Sequence, residues 1–439
     1  MKKKMISMLL CMTMTASLLA GCAGGSTESG ASGTTEEKGT AASEDPAAVE
    51  LTMYHSWGKE ETRGAALYKV VDQFNQENEG KIHINVDINN DFPAYQEKCK
   101  TMISTDTAPD IFHYNFNPND LSRQESGKLL DFSSYMDEDW AARFGDGDLE
   151  TLTINGELTS IPFEKAGAVW YYNTSLFEQA GIESFPKTWD EMFAACDKLE
   201  AIGVAPFTLY TADDAWYTCN LLTYIAASFT GTETLNAGGS LNTEDMVKAV
   251  ELLRKCMNYT TADFVGADYS VASSNFVAEK TAMVIDGSWF IGTCEPIKDH
   301  VAIADAPTFG DGVVESGFLV TDAQTPWACG KTDDPKKAEA IVEFMKYVTS
   351  EEATKQLTLE GGIFLSAKLN LTDEEKANAG ELMASYIDAN SSAPGSVVNL
   401  QRNLSTEANA MLPSLLEGLA LDTITAEEFV TQLDSANNE

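Results

Sequence analysis

Basic side chains are scarce in this chain of 439 residues. Lys and Arg together number 29, against 68 Asp and Glu, so the formal net charge is −39. Such a chain repels phosphate backbones and anionic membrane surfaces, which argues against nucleic acid as a partner. Hydrophobic residues make up 44% of the chain and aromatic residues 9%, which is enough for a sizeable core. At ~150 residues per domain, the length predicts two or three globular domains.

Sequence patterns of catalysis and metal binding are also missing. The four histidines, His55, His83, His113 and His300, show neither H-E-x-x-H nor zinc-ligand spacing. There is no G-x-S-x-G, no Walker loop and no G-x-G-x-x-G that opens a helix, and the G-D-G-D run at 145–148 departs from the calcium-loop pattern. We therefore predict no enzymatic activity, no metal and no cofactor. A cell-surface glycoside hydrolase stays open as an alternative, because two catalytic carboxylates can lie far apart in sequence.

Long hydrophobic runs are absent from the body of the chain. Residues 221–229 are apolar but too short to span a bilayer, and they predict a core helix. At the N-terminus, three lysines and a short apolar stretch precede Leu19-Ala20-Gly21-Cys22, which resembles the lipobox of bacterial lipoproteins. This pattern predicts a signal peptide over 1–21 and a lipid on Cys22. The alternative is an ordinary secretion signal with a chance cysteine.

The segment after Cys22 has few bulky side chains. Residues 22–48 are rich in Ser, Gly, Thr, Ala and Glu and cannot bury enough apolar surface to order themselves. They predict a flexible linker. We expect the protein to lie on the extracellular face of the cell membrane, where the lipid is its only membrane attachment.

Cysteine pairs with C-x-x-C spacing are absent as well. Export permits disulfides, yet the six cysteines of the body are widely spaced, and Cys196 and Cys256 lie on the apolar faces of helical patterns. We therefore predict buried free thiols at Cys99, Cys196, Cys219, Cys256, Cys294 and Cys329.

The first half of the body alternates strand and helix patterns. Strands are predicted at 50–54, 82–88 and 108–112, and between them lie a helix with Leu67, Val70, Val71 and Phe74 inward and a second helix over 95–104. This order indicates parallel β-α-β units, whose ligands collect beyond the carboxyl ends of the strands. Those ends carry His55-Ser56-Trp57, Asn89-Asn90-Asp91 and His113-Tyr114-Asn115.

A second α/β region follows. Strands are predicted at 168–172, 204–207 and 281–285. Thr188 and Glu191 have the spacing of a capping box that starts a helix, and Asp334-Pro335 opens another. The chain is thus an α/β protein with two regions of similar construction.

Several short motifs occur in an order that resembles a known family. They are YHSW at 54–57, APDI at 108–111, GKLLD at 127–131, PKTWDE at 186–191, MVIDGSW at 283–289 and PKKAEA at 335–340. Behind the lipobox, they make residues 51–368 similar to bacterial extracellular solute-binding proteins of family 1. These are the sugar-binding lipoproteins of ABC importers related to maltose-binding protein.

The resemblance implies an α/β, two-lobe fold of the periplasmic-binding-protein type II, with the ligand cleft between the lobes. It implies lobe 1 over 49–163 plus 303–362 and lobe 2 over 164–302 plus 363–439. The chain would cross between the lobes near 161–165, 302–308 and 361–365. It further implies a monomer that captures a carbohydrate, such as an oligosaccharide, and delivers it to the permease subunits of an ABC transporter.

Sugar recognition uses flat rings against pyranose faces and planar polar groups against hydroxyls. The predicted rings are Trp57, Tyr114, Trp170, Trp216, Tyr217 and Trp289, and the predicted polar contacts are His55, Asn90, Asp91, Asn115, Glu164 and Asp286. Any single tryptophan can instead be core, and we interpret Trp140 and Trp189 as core or surface residues and not as ligand contacts. Asp286 can instead cap its turn through Gly287. A third hypothesis keeps the fold but binds a polyamine, metal or phosphate ester, which the absence of a basic or histidine cluster disfavours.

Overall fold

The computed structural model describes residues 48–114, 126–145, 147–165, 167–321 and 325–438. The strands are β1 (Val49–His55), β2 (Ile82–Ile88), β3 (Ile111–His113), β4 (Thr153–Ile154), β5 (Glu157–Leu158), β6 (Ser160–Glu164), β7 (Gly167–Asn173), β8 (Ala205–Phe207), β9 (Thr281–Asp286), β10 (Val301–Ala304), β11 (Leu319–Thr321), β12 (Thr325–Ala328) and β13 (Ser396–Val398). The helices are α1 (Thr62–Glu77), α2 (Phe92–Ser104), α3 (Glu138–Ala141), α4 (Thr174–Gln179), α5 (Trp189–Ala201), α6 (Trp216–Thr230), α7 (Thr232–Asn236), α8 (Glu244–Met257), α9 (Tyr269–Val277), α10 (Phe290–Thr293), α11 (Pro335–Val348), α12 (Glu351–Gly361), α13 (Asp373–Asn378), α14 (Glu381–Ser392), α15 (Thr406–Ala420) and α16 (Ala426–Asn437).

The first sheet has the strand order β2-β1-β3-β12-β6. Strand β1 is parallel to both of its neighbours, as the β-α-β pattern predicts, whereas β12 runs antiparallel to β3 and β6. Helix α1 packs its apolar stripe on this sheet, and Leu67, Val70, Val71 and Phe74 are all buried there. The sheet and its helices form the first lobe.

The second sheet has the order β13-β11-β7-β9-β8, and β10 pairs with β7 beside β11. Helix α6 lies in the core of this lobe and is buried over almost its whole length, which agrees with the core helix predicted at 221–229. Helix α5 begins with the predicted capping box, in which Thr188 and Glu191 each bond to the other's backbone N–H. The prediction of an α/β fold with two lobes is confirmed.

The predicted crossing at 302–308 is wrong. Strands β10 and β11 both pair with β7 of the second sheet, and the chain next joins the first sheet at β12. Residues 303–321 therefore belong to the second lobe and not, as predicted, to the first. The apolar pattern of a strand is local, but the choice of its partner depends on a residue over a hundred positions away, so the sequence pattern could not assign it.

Residues 363–368 also lie elsewhere than predicted. Ile363 and Leu365 belong to the core of the first lobe, and Ser366 donates its backbone N–H to the carbonyl of Phe163. Phe364 packs instead against the core of the second lobe. This segment contacts both lobes. Further along the chain, α14 packs on β7 and β10 and therefore belongs to the second lobe.

The six body cysteines are buried and free, as predicted. Burial raises the pKa of each thiol, so all six stay protonated and unreactive at neutral pH. Across the described part of the chain, no helix has the length and hydropathy needed to cross a membrane. The predicted signal peptide, Cys22 and the linker before residue 48 lie outside the described residues.

Candidate ligand site between the lobes

The first lobe contributes Trp57, which follows the carboxyl end of β1. The backbone N–H of Trp57 donates to Nδ1 of His55 at 3.0 Å, so the last residue of the strand holds the indole in place. The ring lies 4.8 Å from that of His113 and 6.1 Å from that of Phe163, measured between centroids. Trp57 is thus a rigid ring at a strand end, where ligands of parallel sheets collect.

The two histidines behind Trp57 are neutral. His55 and His113 are buried, and burial lowers the pKa of His55 to about 4. Burial, with His55 and Arg63 as neighbouring charges, lowers the pKa of His113 well below its usual value. Nε2 of His113 lies 3.3 Å from the backbone N and from Oγ of Ser56. His55 therefore supports Trp57 from behind as a neutral hydrogen-bond acceptor.

The second lobe contributes a pair of indoles. Trp216 is the first residue of α6, and its backbone N–H donates to Asp214 at 3.2 Å. Trp289 follows the end of β9, and the two ring centroids lie 5.4 Å apart. Gly287 permits this arrangement, because a Cβ there would lie 2.4 Å from the Trp289 ring.

Asp286 lies behind this pair rather than in contact with the cleft. It is fully buried, and it accepts hydrogen bonds from the hydroxyl of Tyr217, the hydroxyl of Tyr269 and the backbone N–H of Gly287. Burial raises the pKa of Asp286 to about 7, although the bonds from Tyr217, Gly287, Tyr269 and Trp289 oppose the shift. The prediction that Asp286 meets sugar hydroxyls does not agree with this placement.

Arg63 joins the two lobes at this site. Its Cζ lies 4.1 Å from the ring centroid of Trp57 and 5.1 Å from that of Trp289. The guanidinium also forms an ion pair with Glu164, the last residue of β6, and its Nε is buried without a hydrogen-bond partner. One cation thus contacts an indole from each lobe at the point where the chain first crosses between them.

Arg63 and Tyr269 are residues of the site that were not predicted from the sequence. Arg63 is the second residue of α1, and a cation in the first turn of a helix opposes the helix dipole. This unfavourable position of a cation was the one feature of the sequence that could have pointed to Arg63. Tyr269 begins α9 and reaches Asp286 only through the tertiary fold, so no sequence signal indicated its contact.

Three predicted residues lie elsewhere. Trp170 is 1% exposed in the core of the second lobe, where its ring contacts Trp189 and other aromatic residues. Asp91 is exposed and caps α2 by accepting the N–H of Ala94 at 3.1 Å, and Asn90 is exposed at the rim beside Gly58. Trp170 is a core residue, which was the alternative open to every tryptophan. Helix capping accounts for Asp91 without a ligand.

The remaining predicted residues divide by lobe. Tyr114 is buried after β3, in a cluster with Tyr54, Tyr95 and Phe112. Tyr217 is buried and supports the second-lobe indoles through Asp286. Asn115 lies outside the described residues. The structure therefore brings together His55, Trp57, Glu164, Trp216, Tyr217, Asp286 and Trp289, with Arg63 between the lobes. Within the ranges that the structure describes, no group of three His, Cys, Asp or Glu could hold a metal ion.

Comparison with known proteins identifies the family. A sequence model described as bacterial extracellular solute-binding protein matches residues 58–355. The chain belongs to this family. The matched range begins beside Trp57 and contains Arg63, Glu164, Trp216 and Trp289, so it includes the candidate site except His55 and Trp57. The resemblance drawn from the sequence motifs is confirmed.

The curated relatives are distant. A binding protein of Brucella abortus is 28% identical over 226 residues, which cover 50% of this chain and 52% of that protein. The chain thus matches about half the length of this relative. An ABC transporter extracellular-binding protein of Pyrococcus horikoshii is 23% identical over 346 residues, 75% of each chain. An sn-glycerol-3-phosphate-binding periplasmic protein of Brucella melitensis is 24% identical over 232 residues, 51% of this chain and 52% of the relative.

Solved structures share the fold over most of the chain. One comes from work on xylan utilization by Caldanaerobius polysaccharolyticus, with a TM-score of 0.75, 24% identity, and coverage of 88% of this chain and 99% of that one. A chitin oligosaccharide binding protein has a TM-score of 0.76 and 22% identity, with coverage of 89% and 98%. RafE in complex with raffinose has a TM-score of 0.69 and 21% identity, with coverage of 89% and 99%. At these identities, the likeness establishes the fold.

Proposed function

We propose that this protein captures a carbohydrate between its lobes and delivers it to the permease of an ABC transporter. The observation that carries the proposal is that Arg63 lies against Trp57 of one lobe and Trp289 of the other, with Trp216 beside Trp289. Indoles cover the apolar faces of pyranose rings, and the polar groups around them suit hydroxyls. Oligosaccharides named with proteins of the same fold supply the ligand class to test.

A phosphate ester fits this site less well. The cation at the site, Arg63, already pairs with the carboxylate of Glu164, so a phosphate would need a second positive charge. The chain as a whole carries a formal charge of −39, which opposes an anionic ligand. The name of one distant relative makes sn-glycerol 3-phosphate the appropriate comparator in a binding experiment.

The test of sugar binding is a thermal-shift screen. The probes are xylo-oligosaccharides, chito-oligosaccharides, raffinose and maltose, with glycerol 3-phosphate as the anionic comparator. A sugar at ~100 times its Kd stabilises the folded protein by ~2.7 kcal/mol, which raises Tm measurably. Trp216→Ala should abolish the shift produced by the sugar. A shift with glycerol 3-phosphate and none with any sugar would contradict the proposal.

The second part of the proposal is that the protein binds the oligosaccharide without cleaving it. The chain lacks the nucleophile, metal and phosphate motifs of known hydrolases. Incubation with the bound oligosaccharide should return it unchanged when the products are analysed by mass spectrometry over time. Cleavage products above those of a heat-denatured control would favour the glycoside hydrolase instead.

Attachment to the membrane through Cys22 is the third part. The lipobox pattern Leu19-Ala20-Gly21-Cys22 supports it, and a lipid anchor would hold a monomeric binding protein near its permease. Metabolic labelling with a radioactive fatty acid should mark the wild type and the control Cys11→Ser, since Cys11 lies in the removed segment. Cys22→Ser should lose the label, and persistent labelling would overturn the assignment.

A further inference from the structure

A buried carboxylate lies behind the indole pair of the second lobe. Asp286 ends β9 with no exposed surface, and its Oδ1 accepts the backbone N–H of Gly287 at 2.7 Å. Its Oδ2 accepts the hydroxyl of Tyr269 at 3.1 Å and also that of Tyr217. Both oxygens are therefore occupied by donors of the protein, and a ligand in the cleft cannot reach them.

Two of the three donors to Asp286 are close in sequence to the two indoles. Tyr217 follows Trp216 in the first turn of α6, so its hydrogen bond fixes the start of that helix. Gly287 leads into Trp289, and its carbonyl accepts the hydroxyl of Tyr171 at 2.8 Å. The Trp289 side chain also acts to lower the pKa of the Asp286 carboxyl, against the effect of burial. One carboxylate thus ties together the two segments that carry Trp216 and Trp289.

The groups around Asp286 are neutral at pH 7. The titratable side chains that face it are Tyr171 of β7, Tyr210 after β8, Tyr217 of α6, Tyr269 of α9 and Cys294 after α10. Burial raises the pKa of every one of them above its usual value. Arg63 lies against the Trp289 ring and is paired with Glu164. With burial unopposed by a cation, the pKa of Asp286 rises to about 7.

We propose that Asp286 is a positioning residue that holds Trp216 and Trp289 together for ligand stacking and does not touch the ligand. The proposal rests on the sugar-binding function proposed above. An ionised Asp286 accepts from Tyr217, Tyr269 and Gly287 at once, whereas a protonated one donates through one oxygen, so one tyrosine hydroxyl has to accept and turn its own hydrogen elsewhere. Protonation also removes the charge that strengthens these hydrogen bonds, and it therefore weakens the support of the indole pair.

The consequence is a ligand affinity that falls on acidification. A carboxyl with a pKa of 7 is about 91% ionised at pH 8 and about 9% ionised at pH 6, so affinity falls roughly tenfold if only the ionised form binds. Tyr217→Phe removes one donor to the ionised form and should move the transition to higher pH. Asp286→Asn should abolish the transition.

The first measurement needs no ligand. Near-ultraviolet circular dichroism and tryptophan fluorescence, titrated from pH 5 to 9, should show a transition near pH 7 in the wild type. Tyr217→Phe should shift its midpoint upward. Tyr224→Phe is the matched control, because that buried hydroxyl of the same helix donates to the carbonyl of Ala168 and should leave the midpoint unchanged. An unmoved midpoint in Tyr217→Phe, or a persisting transition in Asp286→Asn, would overturn the proposal.

The second measurement uses the sugar found in the thermal-shift screen. Calorimetry at pH 6 and pH 8 should give the roughly tenfold difference for the wild type and for Tyr224→Phe, and a flat profile for Asp286→Asn. A wild-type affinity independent of pH would overturn the positioning role even where the spectroscopic transition is present. If no sugar binds at any pH, the carbohydrate assignment fails, while the spectroscopic titration still decides whether Asp286 holds the indoles.

Discussion

At the scale of single residues, Arg63 covers one face of the Trp57 ring. Its guanidinium lies over the Trp57 ring at 4.1 Å, and Trp289 approaches the same cation from the other lobe. A pyranose that stacks on that face of Trp57 therefore has to displace Arg63 or share the cleft with it. The ion pair with Glu164 gives the displaced guanidinium a fixed partner beside the first crossing.

Trp289→Ala tests whether this indole is a platform or a core residue. Trp289 is only partly buried, so we expect a loss of about 2 kcal/mol or more in sugar binding with a small change in Tm. Trp189→Ala is the control, because Trp189 is buried in the second core and its truncation should cost ~3–5 kcal/mol of stability. Calorimetry and thermal melts on both variants decide between the roles. A large drop in Tm with unchanged affinity would make Trp289 a core residue.

His55→Asn tests the neutral histidine behind Trp57. The pKa of His55 falls from 6.5 to about 4 on folding, so the unfolded chain binds more protons between these values and stability declines as the pH drops from 6.5 to 4. Asparagine can still accept the Trp57 N–H but does not titrate. The variant should lose less Tm than the wild type between pH 6.5 and 4.5 in thermal melts. The pKa of Asp286 is raised on folding, so its contribution to stability changes with pH in the opposite direction. That contribution is present in both proteins and does not affect the comparison. Equal losses of Tm in the two proteins would contradict the lowered pKa of His55.

At the scale of elements, the approach of α1 to the loop after β1 places Arg63 on Trp57. Gly64 makes this approach feasible, because a Cβ at this position would lie 1.8 Å from the carbonyl oxygen of Gly58. The helix can contact the loop backbone directly only where a side chain is missing. The position of Arg63 in the site is thus set by a helix-to-loop contact one residue further along.

Gly64→Ala should separate α1 from the loop. We expect a destabilisation of about 1–3 kcal/mol from overpacking, together with altered fluorescence of Trp57 as Arg63 moves. Ala65→Ser is the control, since Ala65 is exposed on the same helix and its change should stay within about 0.5 kcal/mol. Denaturant melts measure the free energy of unfolding of both variants. If Gly64→Ala is as stable as the control, the close contact does not constrain the helix.

At the scale of the whole molecule, the crossing segments lie side by side. Glu164 at the end of β6 pairs with Thr325 at the start of β12 and with Leu365 of the segment after α12. Adjacent crossings allow the lobes to rotate about a common axis, as in hinge-bending binding proteins. The ion pair of Arg63 with Glu164 lies at this position, so the proposed ligand site is next to the crossing segments.

Ligand binding should therefore change the separation of the lobes. We expect the radius of gyration from small-angle scattering to decrease when the sugar found in the screen is added to the wild type. Trp289→Ala at the same sugar concentration should show a smaller decrease, because its affinity is lower. A radius unchanged at saturation would argue for a rigid pair of lobes.

The net charge of the molecule supplies a second test of ligand class. A neutral sugar has no charge to be screened, so its affinity should change less than about twofold between 0.05 and 0.5 M NaCl. An anionic ligand would bind the chain of charge −39 more tightly as salt screens the repulsion. Calorimetry at the two salt concentrations distinguishes them.

The element types were predictable because their signals are local. The stripe of Leu67, Val70, Val71 and Phe74, the capping box at Thr188 and the alternation in β2 each lie within one or two turns or one strand. The rule that ligand groups follow strand ends pointed to Trp57 and Trp289 for the same reason. Trp170 lies inside the strand predicted at 168–172, so this rule did not support it, and it is a core residue.

By itself, the sequence determined the α/β class, the family and the strand ends at which the indoles stand, since these depend on short-range periodicity and motif order. Only the tertiary structure decided which groups meet. Arg63 and Glu164 are 101 residues apart, and Tyr217 and Asp286 are 69 residues apart. The assignment of 303–321 to the second lobe likewise depends on pairing with β7. Contacts of this kind come from packing two sheets and their helices into one molecule, and no local pattern encodes them.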